Sequence, residues 1–206
     1  MAKLKAPLFS LGAAGALGEA LVYFGWKGLN CVRSYVIPAN PKTGPQNTQR
    51  GYLTAVVTDI HEAQAHATLP LTATDVAAYA LKGSTHPTPR TWFNEACKIW
   101  IDQKVAALLS TIYRLGGLEI FPNRIDLNLR SDEIAAGKIE TGKFHYGTSK
   151  TALINSKVAT PELAANMMSV SLTGLTSGIK YFIQFRPATV AAYVGAVSGI
   201  YYGTPT

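Results

Sequence analysis

The chain has 206 residues, enough for one large or two small domains, and 48% of them are hydrophobic while 15% are charged. The formal net charge is +7, but no stretch concentrates Lys and Arg, which argues against a dedicated nucleic-acid surface. No segment approaches eighteen apolar residues without polar interruption, so we expect no membrane span. The sequence has two cysteines, Cys31 and Cys97, which fit buried free thiols better than a disulfide.

Residues 1–20 are small and glycine-rich, and they predict a flexible arm rather than a core element. Two lysines precede residues 6–18, as in a signal peptide, but this run is rich in Gly and Ala rather than Leu. We therefore expect an arm and not a signal peptide. Residues 21–24 and 32–37 have strand-like composition and flank a turn region at 25–30, which predicts a β-hairpin over residues 20–37.

Three helices are predicted after the turn cluster at residues 40–45. The apolar residues of 46–67 recur on one face, which predicts the first helix. Thr72 and Asp75 have the spacing of a capping box at the start of the second helix, and Gly83 is placed to cap its end.

The third helix is predicted to open at Thr88-Pro89, because proline is favoured at the first helical position. Its many apolar residues, Trp92 and Trp100 among them, predict a broad buried face. Gly116-Gly117 would end this helix and mark the boundary between two domains.

Residues 117–206 contain short alternating apolar segments separated by glycine turns, the pattern of antiparallel strands in a sandwich. Their length suits about seven strands. The strands are predicted at 118–121, 125–129, 143–146, 152–154, 168–172, 181–185 and 197–202.

The order of three short motifs in this half indicates the kind of sandwich more specifically than the strand pattern does. They read Tyr146-Gly147-Thr148-Ser149, then Leu172-x-Gly174-Leu175-x-x-Gly178-x-x-Tyr181, and finally a closing strand followed by Thr204-Pro205. This arrangement resembles a fibronectin type III domain, although the usual Trp of that family's early strands is missing. The resemblance implies an immunoglobulin-like sandwich in which the Tyr181 hydroxyl bonds the backbone just upstream and Leu172 and Leu175 fill the core.

A second pattern covers residues 20–57. It runs Phe24-Gly25-Trp26-Lys27-Gly28, Val32-Arg33-Ser34-Tyr35, Asn40-Pro41-Lys42-Thr43 and Gln46-x-x-Gln49-Arg50. This pattern resembles the opening of uncharacterised families encoded by bacteriophages and prophages, which implies a structural role in the virion. The hairpin is expected to dock on neighbouring subunits through its Trp26 tip or to pack on the chain's own three helices, and the two arrangements are compatible.

We find no grouping of residues that predicts catalysis, a cofactor or a metal ion. His61 and His66 nearly match a zinc-protease helix, but their i, i+5 spacing turns them to different faces. His86 and His145 have no partner that the sequence identifies, and Asp132-Glu133 fits a solvated loop. No nucleophile stands with a base and an orienting group.

Tyrosines near the C-terminus are candidates for an interface, because Tyr combines a large rigid surface with a polar tip. Together with the hairpin they form the predicted assembly interface, which consists of Tyr23, Phe24, Trp26, Lys27, Arg33, Tyr35, Tyr193, Tyr201 and Tyr202.

The sequence thus predicts an α+β protein: a flexible arm (1–20), a hairpin and helical domain (21–116) and a fibronectin III-like sandwich (117–206). The favoured hypothesis is a non-enzymatic virion structural protein, such as a capsid decoration or tail component, whose partners are itself and other virion proteins. An extracellular filament or cell-surface adhesion module that binds carbohydrate or protein is one alternative. An enzyme accessory domain or small hydrolase is the other.

Overall fold

The computed structural model describes residues 2–4, 15–18, 20–37, 42–108, 110–131, 141–162, 166–188 and 197–206. The protein is mixed α/β, with helices and antiparallel sheets. The chain divides into two compact units, Met1–Thr43 and Gly44–Thr206.

The N-terminal unit contains a four-stranded antiparallel sheet, called here the N-terminal sheet, with strand order β1-β4-β3-β2. Its strands are β1 Ala2–Leu4, β2 Gly15–Leu17, β3 Leu21–Trp26 and β4 Leu29–Ser34. The predicted hairpin is confirmed by β3 and β4, which are joined at Lys27 (φ 49) and Gly28 (φ 77). Two positive φ angles match the right-handed twist of a two-residue hairpin turn.

The predicted flexible arm requires correction at residues 2–4 and 15–17. These segments are β1 and β2, which pair with the two outer edges of the hairpin. An unpaired strand edge offers a row of backbone donors and acceptors, and even a short run of small residues can occupy it.

Three helices lie in the described part of the second unit: α1 Gly44–Ala65, α2 Ala73–Gly83 and α3 Trp92–Val105. The capping box of α2 is confirmed, with the Thr72 side chain and the Asp75 side chain each accepting from the other residue's backbone N–H. Gly83 is the last helical residue rather than the cap, which is Ser84. A glycine fits there because a Cβ would lie 2.7 Å from the Arg90 carbonyl oxygen.

The predicted limits of α3 were wrong at both ends. Thr91 is the N-cap and accepts from the Asn94 N–H, so Thr88-Pro89 precedes the helix. The helix ends at Val105. Gly116 and Gly117 lie instead inside a strand with a bulge between Leu115 and Gly117, because this segment pairs with the following strand.

Two further four-stranded antiparallel sheets complete the second unit. The β6 sheet has the order β5-β6-β10-β9 and the β7 sheet the order β12-β11-β7-β8. Their strands are β5 Arg114–Phe121, β6 Arg124–Arg130, β7 Thr141–Gly147, β8 Asn155–Val158, β9 Thr160–Glu162, β10 Met167–Thr173, β11 Tyr181–Ala188 and β12 Tyr201–Gly203. The strand predicted at 152–154 therefore forms later, at β8, and β9 was not predicted.

The two sheets share one hydrophobic core, as the layers of a sandwich do. The β6 sheet contributes Ile125, Leu127, Leu129, Met168, Val170 and Leu172, and the β7 sheet contributes Phe144, Ile183, Phe185 and Tyr201. A second cluster lies among the helices and includes Val56, Ile60, Tyr79, Ala96, Cys97 and Trp100. Both cysteines are free and buried.

Helix α2 joins the helices to the sheets. Ala78 belongs to the core of the sheets, and its carbonyl accepts from the Ile200 N–H at 3.0 Å. A Cβ on Gly199 would lie 2.8 Å from the backbone of Ala78, so the chain before β12 runs directly against the helix. The compact unit therefore extends across the boundary predicted at residues 116 and 117.

Candidate functional site

The N-terminal sheet presents apolar side chains on both of its faces. Trp26 pairs with Leu29 and Phe24 with Cys31 in the β3–β4 register, so these four share one face, and Tyr23 pairs with Val32 on the other. Trp26 is 55% exposed and Leu29 44% exposed. Among residues 15–18, 20–37, 42 and 43 of this unit, only Cys31 is buried.

The predicted interface residues of the hairpin are therefore accessible to different degrees. Trp26, Lys27, Arg33 and Tyr35 are exposed, while Tyr23 and Phe24 are half-buried. The Arg33 guanidinium lies 5.7 Å from the centre of the Phe24 ring, on the face that also carries Trp26. The residues that follow β4, at the end of the hairpin away from the Trp26–Leu29 turn, are also exposed, with Val36 64% and Ile37 74% exposed.

The three tyrosines predicted near the C-terminus have different positions. Tyr202 is exposed, and its ring lies 4.5 Å from the Lys180 ammonium. Tyr201, expected at an interface, is instead buried, because alternation along β12 turns it into the core. Tyr193 lies outside the described residues.

Tyr201 belongs to a buried hydrogen-bond network centred on Asp75, whose side chain is fully buried. Asp75 Oδ1 accepts from the Tyr201 hydroxyl and from the Leu115 N–H, both at 2.7 Å. Asp75 Oδ2 accepts from the N–H and the hydroxyl of Thr72, both at 2.8 Å. One carboxylate thus connects the start of α2 with β5 and β12, and its role is structural.

A second buried tyrosine supports the same junction. The Tyr79 hydroxyl accepts from the Tyr113 N–H at 3.0 Å and donates to the Tyr113 carbonyl at 3.3 Å. Burial raises the pKa of Tyr79, and the nearby Asp75 charge raises it further. Burial also raises the pKa of Tyr201, and the charge of Asp75 raises it further. Both phenols are therefore held neutral in the folded protein.

The residues of the Leu172–Tyr181 motif lie around the turn after β10. The Tyr181 hydroxyl accepts from the Thr176 N–H at 3.1 Å, a bond to the backbone just upstream. Leu172 and Leu175 are buried in the core of the sheets. Gly174 (φ 73) and Gly178 (φ 77) both adopt left-handed backbone that favours glycine.

His86 has partners that the sequence did not reveal. Its Nε2 lies 3.0 Å from Oε1 of Glu95, whose other oxygen accepts from Arg90 Nη1 at 3.2 Å. Glu95 is buried on α3, nine residues beyond His86, so no short motif connects them. The cluster fastens the loop before α3 to that helix, and both carboxylate oxygens are already paired.

A cleft of about 290 Å³ brings Asp59, Glu62 and His66 of the α1 region near Arg114. Asp59 Oδ2 accepts from the Trp100 indole N–H at 2.8 Å. His66 Nδ1 accepts from the backbone N–H groups of Thr68 and Leu69, both at 3.3 Å. These contacts terminate α1 and hold it against α3.

Across the described ranges, no three His, Cys, Asp or Glu side chains are grouped so as to hold a metal ion. No described helix combines the length and apolar character needed to cross a membrane. A scan against protein-family models gives no match to this sequence, and a search of the curated proteins gives none either.

Proposed function

We propose that this protein is a non-enzymatic structural subunit of a bacteriophage virion that assembles through its N-terminal sheet. The observation that carries the proposal is that, among the side chains that the structure describes in this sheet, only that of Cys31 is buried. Its strands expose Leu17, Trp26 and Leu29, and the segment after β4 exposes Tyr35, Val36 and Ile37.

A four-stranded sheet in a unit of 43 residues has little surface to bury within the unit itself. Sheets become stable when an apolar face is covered, and contiguous exposed apolar surface is typical of interaction sites. Each 100 Å² of apolar surface that a partner covers contributes roughly 2.5 kcal/mol. Repetition of one such contact over identical subunits would multiply this contribution.

The choice of a second copy of the chain as partner follows from the edges of the sheet. Strands β1 and β2 are only three residues long, and each pairs with a single neighbour in the part of the chain that the structure describes. Edge strands of this kind can continue a sheet from one subunit into the next. Other virion proteins would then contact the same surface at the ends of an assembly.

For the second unit we propose a fibronectin III-like sandwich that projects from the assembly or packs laterally. The supporting observations are the sheet orders β5-β6-β10 and β12-β11-β7-β8 and the Tyr181 hydroxyl bond to the Thr176 N–H. The virion assignment rests on the likeness of the Phe24–Gly25–Trp26–Lys27–Gly28 opening to phage and prophage families.

The test compares the wild-type chain with a Trp26→Glu/Leu29→Glu double variant by light scattering and negative-stain microscopy. We expect rings, tubes or sheets from the wild type and loss of these assemblies in the variant, because two carboxylates would be desolvated on the covered face. Ile154→Glu is the matched control, since Ile154 is 84% exposed but lies in the second unit.

Circular dichroism should show that all three proteins keep the fold of the second unit. A wild-type chain that remains monomeric at high concentration would contradict self-assembly. Assemblies of the double variant that match the wild type would show that another surface makes the contact.

A further inference from the structure

A cavity of about 190 Å³ lies where the end of α2 meets the β7 sheet. Lys82 enters it from α2, Lys150 from the turn after β7, and Arg186 from β11. The rest of the lining consists of Thr85, Thr151, Leu153, Gln184 and Ile200. The lining thus contains three cations and no carboxylate.

The three cations are not neutralised by ion pairs within the part of the chain that the structure describes. Glu95, which acts on Lys82 from a distance, is itself paired with His86 and Arg90. The C-terminal end of α2 favours a nearby cation, but this effect is confined to its last turn, where Lys82 lies. The effect does not extend to Lys150 and Arg186.

The positive field extends along the outer face of the β7 sheet. In the β7–β11 register Lys143 lies opposite Arg186, and His145 lies opposite Gln184. Burial lowers the pKa of His145, and the charges of Arg186 and Lys143 lower it further. Burial also lowers the pKa of Lys82, while Glu95 opposes this shift and Arg186 adds to it.

Arg186 and Lys150 are held in place by neighbouring side chains. Arg186 Nε donates to Gln184 Oε1 at 3.3 Å, and the buried Gln184 donates through Nε2 to the Ser198 carbonyl at 3.1 Å. Lys150 Nζ donates to Ser84 Oγ at 2.8 Å. Among the described residues, these bonds leave the terminal guanidinium N–H groups of Arg186 and two ammonium protons of Lys150 available as donors.

We propose that this cavity binds a phosphate group, either as the free anion or at the end of a phosphomonoester. A tetrahedral oxoanion would accept from the Arg186 fork and from both lysines, and such charge-assisted bonds are the strong ones in proteins. The hydroxyls of Thr85 and Thr151 add neutral donors on the same wall. Bound phosphate would offset the mutual repulsion of the cations and the cost of their partial burial.

This inference is independent of the virion role, because the cavity lies wholly within the second unit. The test is isothermal titration calorimetry of the full chain with inorganic phosphate, and separately with glycerol phosphate, against sodium chloride at matched ionic strength. We expect saturable binding of one phosphate per chain. Binding of both ligands indicates a site open to phosphomonoesters, and binding of inorganic phosphate alone indicates an enclosed site for the free anion.

Lys150→Gln and Arg186→Gln should each weaken phosphate binding about tenfold, the usual effect of removing a charge-assisted hydrogen bond. Lys157→Gln is the matched control, because Lys157 lies on the same sheet but donates to the Ser171 carbonyl outside the cavity. Circular dichroism checks the fold, and Lys150, in a turn, provides a variant that does not disturb a strand.

Absence of saturable phosphate binding to the wild type would overturn the proposal. So would a Lys157→Gln variant that loses as much affinity as the two cavity variants, since that result would indicate attraction to net charge alone. Retention of affinity in both cavity variants would overturn it as well.

Discussion

The two units of this protein stabilise their strands in different ways. The strands of the N-terminal sheet pair with one another, but among its described side chains only that of Cys31 is buried. In residues 44–206 two hydrophobic clusters surround a network of buried hydrogen bonds centred on Asp75. The second unit therefore has extensive contacts of its own, whereas the function proposed above has the N-terminal sheet covered by another subunit.

The largest effect is expected from Asp75→Asn, which tests whether the second unit depends on its buried network. The NH2 of the amide would replace one acceptor oxygen and would face donors at Thr72, Leu115 or Tyr201. Some of these donors would then be unpaired. We expect a loss of about 3 kcal/mol or more in the free energy of unfolding. Urea denaturation followed by circular dichroism measures it.

Asp102→Asn is the matched control for Asp75→Asn. Asp102 is exposed on α3 and pairs there with Lys98, so its loss should cost under about 1 kcal/mol. Equal losses of unfolding free energy in the two variants would show that the buried Asp75 network contributes no more stability than an exposed ion pair.

The next effect concerns the contact between α2 and the chain before β12. Gly199→Ala would place a Cβ 2.8 Å from the Ala78 carbonyl carbon and 2.9 Å from the Tyr79 nitrogen, both of which are backbone atoms. We expect a loss of roughly 1–3 kcal/mol in the free energy of unfolding. Gly51→Ala, in α1 with open space around it, should instead gain about 0.5–1 kcal/mol.

A gain of stability in both glycine variants in the same denaturation experiment would contradict the close contact between α2 and the chain before β12. We would then no longer infer that α2 is fixed to the sheets, which is one of the differences between the two units.

The features that sequence reasoning predicted are local ones. The hairpin of β3 and β4 follows from its strand-forming residues and turn, and the capping box of α2 follows from Thr72 and Asp75, three residues apart. The resemblance to a fibronectin type III domain, carried by a motif of ten residues, implied core positions for Leu172 and Leu175, and both residues are buried.

The features that it missed depend on residues far apart in the chain. The Tyr201 hydroxyl donates to Asp75, 126 residues earlier, and Lys150 donates to Ser84 across 66 residues. The end of α3 was misplaced because residues with helical spacing beyond it pair with β6 as a strand. Periodicity describes the faces of one element, but it does not say which other element covers them.

A smaller effect is expected from Tyr201→Phe, which removes the hydroxyl donated to Asp75 Oδ1 and should cost about 1 kcal/mol at neutral pH. Burial raises the pKa of Tyr201 in the folded protein, while the unfolded phenol has a pKa near 10. The folded state therefore holds the proton more tightly. The stabilising contribution of the Tyr201 hydroxyl is complete below about pH 10 and is lost as the pH rises beyond that value.

Urea denaturation from pH 7 to alkaline pH should show the advantage of wild type over Tyr201→Phe shrinking above about pH 10. Tyr202→Phe, which changes the exposed neighbour, is the control. A difference between wild type and Tyr201→Phe that stays constant over this range would contradict the linkage.

The smallest effect on unfolding is expected from Gly28→Ala, in the turn of the N-terminal hairpin. Gly28 has φ 77, which costs an alanine about 1 kcal/mol, although no atom lies within 4 Å of the added Cβ. Because the strain is confined to the first unit, the urea transition of residues 44–206 should not move. If the N-terminal sheet makes the contacts between subunits, the same strain should weaken assembly about fivefold in light scattering.

Gly25→Ala isolates the effect of backbone strain in that experiment. Gly25 lies in β3 of the same hairpin, its added Cβ also meets nothing within 4 Å, and it is not among the positive-φ glycines. Assembly should therefore be retained in Gly25→Ala and weakened in Gly28→Ala, with identical unfolding of the second unit in both. A shift of that unfolding transition by Gly28→Ala alone would mean that the two units stabilise each other, because strain in the first could reach the second only through such a coupling.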